Sequence, residues 1–301
     1  MPVTDVVQRY RLDELQPVAL AVAQDRAQRL ARGHYENFSV ASLLLPAALR
    51  PHFYSIYAYC RVSDDLADEM GTTADALTWL ERWRGQLDAL YAGQTTHWVF
   101  VALQPTIEQF AIPARPFERL LEAFVQDQTK TRYANFDEIL GYCQGSANPV
   151  GELVLYLARA ASPENIALSD DICTALQITN FWQDVARDWD KGRVYLPQDD
   201  MERFGVTEQQ IAARAFSPQY ADLLRFECER AHELYQRGAP LVDRLPRTFR
   251  RDVALFLAGG VSILRAIAAA GYDTLSTRPT LSRWGKLSLA LRVLLGGQPW
   301  R

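Results

Sequence analysis

The sequence predicts an all-α fold. Apolar residues recur at helical spacing along almost the whole chain, and no segment alternates apolar and polar residues as a half-buried strand would. Two acidic clusters, more than a hundred residues apart, have the i, i+4 spacing that puts carboxylates on one helix face. Their rows are Asp64 with Asp68, and Asn180 with Asp184 and Asp188.

In chain order, residues 12–31 carry helical periodicity with acidic residues early and arginines late, as the helix dipole favours. His34 to Pro46 mixes polar and apolar residues. Pro46 and Pro51 then punctuate the start of a long helix that runs to about Met70. Gly71 to Thr73 is a turn, and residues 74–92 form the next helix. Gly93 to Thr96 is a loop. Pro105, Pro113 and Pro116 are expected to divide the next region into short pieces. Residues 116–128 are amphipathic. Phe136 to Ala160 reads as one helix interrupted at Ser146-Ala-Asn-Pro149. Ser162-Pro-Glu opens a segment that leads into the helix carrying Asn180, Asp184 and Asp188. Gly192 to Asp200 reads as a loop, and residues 207–214, 217–237 and 251–272 as helices. No linker argues for a second domain, so a single domain over residues 1–301 is expected.

Composition narrows the function. Nearly half of the 301 residues are hydrophobic, enough for a large core, and a net charge of -4 gives no support for a nucleic-acid partner. The four cysteines show no paired spacing and read as reduced core residues, which suits the cytoplasm. No secretory signal is visible, and no uncharged apolar run looks long enough to cross a membrane. His52, His97 and His232 stand alone without metal-ligand spacing.

The acidic clusters carry the chemistry. In each, a carboxylate has another carboxylate as its i+4 neighbour, which is repulsive unless a cation lies between them. Hard oxygen donors with room for water and phosphate suit Mg2+, with Mn2+ as a substitute. Arg61 precedes Asp64 by one turn, and Arg193 follows Asp188. Aromatic residues cluster on the same helices: Tyr57 beside the first pair, Phe181 and Trp182 beside the second. Plain core packing is the competing account of Phe181 and Trp182.

These residues carry a resemblance to the squalene/phytoene synthase family over residues 30–270. The motifs are the two acidic rows and the trailing Arg193-Val-Tyr195. Three further stretches resemble the branch that converts presqualene diphosphate and water into hydroxysqualene. They are His34-Tyr-Glu-Asn-Phe-Ser-Val-Ala-Ser42, Ser146-Ala-Asn-Pro-Val-Gly151 and Asn180-Phe-Trp-Gln-Asp-Val185. The resemblance implies an isoprenoid synthase fold around a central cavity, with Asp64, Asp68, Asn180, Asp184 and Asp188 as Mg2+ ligands. It implies Arg61, Gln177, Gln183 and Arg193 at the diphosphate, Tyr195 closing that end, and Tyr57 and Tyr142 at the reaction centre. His34 and Phe38 would form a lid.

Three departures from the family pattern stand out. Gln183 replaces an arginine common before the second motif, and Asn148-Pro149 replaces Gly-Thr. Tyr35 and Asn37 stand where serines are usual. The expectation drawn from them is a site that quenches a cation with water, Asn148 helping to hold it, without NADPH. Condensation of two farnesyl diphosphates, a phytoene-type reaction and an inactive assembly protein on the same fold are the alternatives. The cationic segment 281–295 is read either as a last packed helix or as a helix lying on a membrane. Coupling to other enzymes of squalene metabolism is the remaining partner expectation.

Overall fold

A computed structural model describes residues 3–14, 16, 18–33 and 46–300. The described residues are helical with no strand. They form two compact units, residues 1–129 with 152–161, and residues 130–151 with 162–301. Neither unit is a continuous stretch of sequence, because the chain enters the second at 130, returns at 152 and leaves again at 162.

The first unit holds α1 (Val3–Tyr10), α2 (Leu20–Gly33), α3 (Arg50–Asp68), α4 (Thr73–Tyr91), α5 (Trp98–Phe110) and α6 (Arg115–Gln126), with the end of α8 (Asn148–Leu157). Of the helix expected over residues 12–31, only the part from Leu20 onward is helical, as α2, and a separate helix, α1, ends before it at Tyr10. Arg11 turns the chain at φ 55°, and the periodic apolar residues resume only at Leu20. Pro105 does not divide its region either, but lies inside α5. That helix is buried along most of its length, and packing holds it despite one missing backbone donor.

The long helix α3 organises this unit, packing on α2, α4, α5 and α6. Its inner face carries Tyr59, whose ring meets Phe117 edge-on at 5.0 Å and whose hydroxyl donates to the Phe117 carbonyl at 2.9 Å. Trp83 of α4 donates to Ser63 Oγ at 2.9 Å, locking the same face one turn further on. The outer face of α3 therefore has a fixed rotation.

The second unit holds α7 (Phe136–Ser146), the start of α8, α9 (Pro163–Asp190), α10 (Gln198–Phe204), α11 (Glu208–Ala212), α12 (Pro218–Gly238), α13 (Leu241–Arg244), α14 (Arg247–Ala269) and α15 (Arg283–Leu294). The break between α7 and α8 falls at Ala147, within the interruption the sequence marks. α9 is its axis, a 28-residue helix capped by Ser162 and packed along α12 and α14. Two glycines permit that close approach. A Cβ at Gly238 would lie 2.6 Å from Ile172 Cγ1, and one at Gly260 would enter the Tyr235 phenol. Tyr235 and Thr179 share a hydrogen bond of 3.1 Å, which ties α12 to α9 just before the acidic row.

α14 is apolar along most of its length. Among the described residues it is the one helix long and apolar enough to cross a membrane, by length and composition alone. Its Phe249, Leu257, Val261, Leu264 and Ile267 are buried inside the unit, as in the core helix of a folded domain.

Candidate functional site

In the first unit, Tyr57, Arg61, Asp64 and Asp68 follow one another at helical spacing along the outer face of α3. Asp68 is exposed and Asp64 partly so. Arg61 reaches back to Asp64 at 3.3 Å. Burial, with the charge of Asp68 behind it, pushes the Asp64 carboxyl up to about 6. Asp65, in the middle of the cluster, turns inward. It is buried and takes the Tyr10 hydroxyl, Arg9 at 3.4 Å and Arg61. Asp65 is thus a structural anchor for α1, and Arg61 links that anchor to the outward pair.

The second unit carries the other row. Asn180 is exposed, Asp184 and Asp188 are partly buried, and Gln177 lies one turn before Asn180. α9 is bent at Asp184 (φ −108°, ψ 15°). Burial, then the charge of Asp184, raises the Asp188 carboxyl to about 7, against the pull of Lys191, Arg193 and Arg278. The loop after α9 folds back on its own helix end, the Arg193 amide donating to the Asp188 carbonyl at 2.8 Å.

Sequence reasoning missed Arg278. Its guanidinium grips Asp184 with two bonds, Nε to Oδ1 at 2.6 Å and Nη2 to Oδ2 at 2.8 Å. The same Nη2 donates to Gln183 Oε1 at 3.0 Å, and Gln183 Nε2 donates to the Pro279 carbonyl. Gln183 is buried, and both ends of its amide engage the 278–279 segment. The signal for Arg278 was the neutral residue at 183, where a cation is usual. Nothing in local periodicity points to a partner 95 positions away.

Aromatic rings adjoin this row. Phe181 lies flat on Tyr195, centroids 3.7 Å apart. Tyr142 approaches Phe181 at 6.0 Å and Tyr195 at 5.9 Å, and Tyr133 stacks on Tyr195 at 5.7 Å. Trp182 has no exposed surface, so plain packing accounts for it. Asn148 is also buried, its carboxamide oxygen accepting from Thr174 at 3.0 Å. His34 and Phe38 lie outside the described residues.

The donor set fits a hard divalent cation. Both rows are oxygen-only, and one carboxyl in each is held above its ordinary range beside a second. Arg278 already stands at Asp184 as a cation. Among the described residues no three His, Cys, Asp or Glu side chains gather as a complete metal cage. Mg2+ does not need one, since it commonly takes one or two carboxylates and completes its shell with water and phosphate. The histidines play other parts. His97 accepts from the Val99 amide through Nδ1, which leaves Nε2–H for the Tyr10 carbonyl at 3.1 Å, and burial lowers its pKa to about 4. His52 pairs with Thr106, and His232 with Gln236. All four cysteines are free.

An all-helical fold bearing two such carboxylate rows is that of an isoprenoid synthase. The chain belongs to the squalene/phytoene synthase family, whose model matches residues 31–285. It is similar to the crystal structure of a squalene synthase, HpnC, from Alicyclobacillus acidocaldarius. The identity is 42% and the TM-score 0.81, over 85% of this chain and 97% of that one. Phytoene synthase 1 of Zea mays is 29% identical over 92% of this chain and 69% of its own. The phytoene synthase of Arthrospira platensis is 28% identical over 90% of this chain and 92% of its own. Members of the family are enzymes that process prenyl diphosphates in isoprenoid biosynthesis.

Proposed function

We propose that this enzyme ionises presqualene diphosphate and quenches the resulting carbocation with water, giving hydroxysqualene and diphosphate. The observation that carries the chemistry is the aromatic group of Tyr142, Phe181 and Tyr195 on and beside the helix that bears Asp184 and Asp188. A leaving diphosphate needs cations, and the carbon it leaves needs electron-rich, dry walls. Here the two needs are met within one turn of α9. The 42% identity to HpnC, against 28–29% to phytoene synthases, supports the squalene side of the family.

Asp64 and Asp68 on α3, and Asn180, Asp184 and Asp188 on α9, would hold Mg2+. Bound there, the ion supplies charge neutralisation and a polarised leaving oxygen. Arg61 and Arg193 take phosphate oxygens in this reading. Arg278 shifts from Asp184 toward the diphosphate while Gln183 keeps its segment in place. The aromatic group of Tyr142, Phe181 and Tyr195 walls the carbon end in this reading, and an aromatic face is worth about 1–2 kcal/mol to a desolvated cation. Gln177, Tyr57 and Asn148 are assigned to the substrate, Asn148 to the attacking water. NADPH has no part. The chain is read as one functional domain placed in the cytoplasm.

A second reading, condensation of two farnesyl diphosphates to squalene, is favoured by the name that the HpnC structure carries. Purified protein with Mg2+ is offered presqualene diphosphate or farnesyl diphosphate, each with and without NADPH. An alcohol from presqualene diphosphate, indifferent to NADPH, is expected. An NADPH-dependent hydrocarbon would replace the proposal with the second reading, and turnover of neither substrate would overturn both.

A further inference from the structure

We propose that the outward face of α15 seats this enzyme on an anionic lipid surface. α15 is apolar on two opposite sides. Val293 is buried on the side where the helix packs against α14. The opposite side shows Trp284, 80% exposed, then Leu287, Leu291, Leu294 and, just past the helix, Leu295, 86% exposed. At 100° per residue these five fall within an arc of about 100°. Arg283 and Arg292 lie on either edge of that arc, with Lys286 beyond Arg283. A band of Trp and Leu edged by basic residues is the pattern of a helix lying in the plane of a lipid interface. Indole rings favour that boundary, and the long basic side chains reach from it toward headgroups.

Charge selects the occupant. From Thr274 to the end the chain has five basic residues, Arg278, Arg283, Lys286, Arg292 and Arg301, and no Asp or Glu. The whole chain carries -4, so the remainder carries -9, and its basic end stands apart. A second copy on the same face would bring Arg283, Lys286 and Arg292 of both copies together with no carboxylate to offset them. Anionic headgroups offset them directly. Arg278 is committed to Asp184 and is not counted. The inference rests on this helix and holds whichever reaction the enzyme runs. Its consequence for a prenyl diphosphate enzyme is access to substrates and products that partition into lipid.

The test uses the full chain and sedimentation with vesicles of phosphatidylcholine, alone or with about a third phosphatidylglycerol. At roughly fivefold for each of three basic residues, the anionic vesicles should bind about 100-fold more tightly. Trp284→Ser with Leu291→Ser should lose binding to both vesicles. Arg283→Gln, Lys286→Gln and Arg292→Gln together should reduce anionic binding to the neutral level. These positions are exposed, and circular dichroism checks that each variant is folded. Vesicle binding that the apolar double variant leaves unchanged, or no binding by the parent protein, overturns the proposal. So does a dimer in sedimentation velocity that the double variant abolishes, because a second copy would then own the face.

Discussion

Divalent-cation affinity should rise with pH, more steeply at the second acidic row than at the first. Asp188 is held at about 7, by burial first and by Asp184 second, and Asp64 at about 6 for the same reasons. A carboxyl raised in the folded state keeps its proton to higher pH, and a metal can bind only after that proton leaves. Metal binding must therefore strengthen as pH climbs through each value. Between pH 5.5 and 8 the ionised fraction of Asp188 grows about 30-fold, worth about 2 kcal/mol, whereas an ordinary aspartate would change by a few per cent. Asp64 gives about fourfold at most, since its side chain is 44% exposed and solvent screens it. Mn2+ as a probe, with the free ion counted by electron paramagnetic resonance, separates these effects without substrate. Asp188→Asn should remove the steep phase, and Asp64→Asn the shallow one. An affinity that changes less than twofold across the range would show that neither carboxyl meets the metal in its raised state.

Two further outcomes arise from buried polar groups. Gln183→Leu removes both bonds that steady the Arg278 segment, and the lost bonds should raise KM for the diphosphate substrate by roughly tenfold or more with a smaller change in kcat. Gln183→Glu, which still accepts from Arg278, should recover most of it; equal KM in parent and Leu variant would exclude the clamp. Asp252 of α14 is buried with no partner among the described residues for either carboxyl oxygen, and burial raises it to about 7. Stability from a raised acid is present below its unfolded value and is lost as pH rises through the folded one. Asp252→Asn should therefore gain melting temperature over the parent between pH 6 and 8, and identical melting curves across that window would contradict the assignment.

The helices were legible because their signals are local. Ser162-Pro163 and Asn135 cap helices where polar side chains precede periodic runs, and Thr72 does the same for α4. Burial depends on facing elements and was not legible. The three carboxylates at 64, 65 and 68 look alike in sequence, yet Asp65 is turned into the core by Tyr10 and Arg9. Likewise Phe181 and Trp182 are neighbours with different fates, one stacked on Tyr195 and the other sealed in the core.

Gln183 shows where a residue-by-residue reading stops. Taken alone, a glutamine in place of an arginine removes a charge from the phosphate end. The structure returns a guanidinium to the same place from 95 residues away, and the glutamine holds it there. Gln183→Arg would put a second cation against Arg278 and compete for Asp184. The neutral side chain and the distant arginine are thus one arrangement divided between α9 and the segment that leads into α15. Its parts differ in kind: Gln183 is buried and serves by position, whereas Arg278 is a third exposed. In the proposed reaction, where a metal takes Asp184 and a diphosphate follows, the site would gain from keeping its cation on the more exposed partner. The reverse pairing, an arginine fixed on the helix and a glutamine on the segment, would hold the charge in one place through both states.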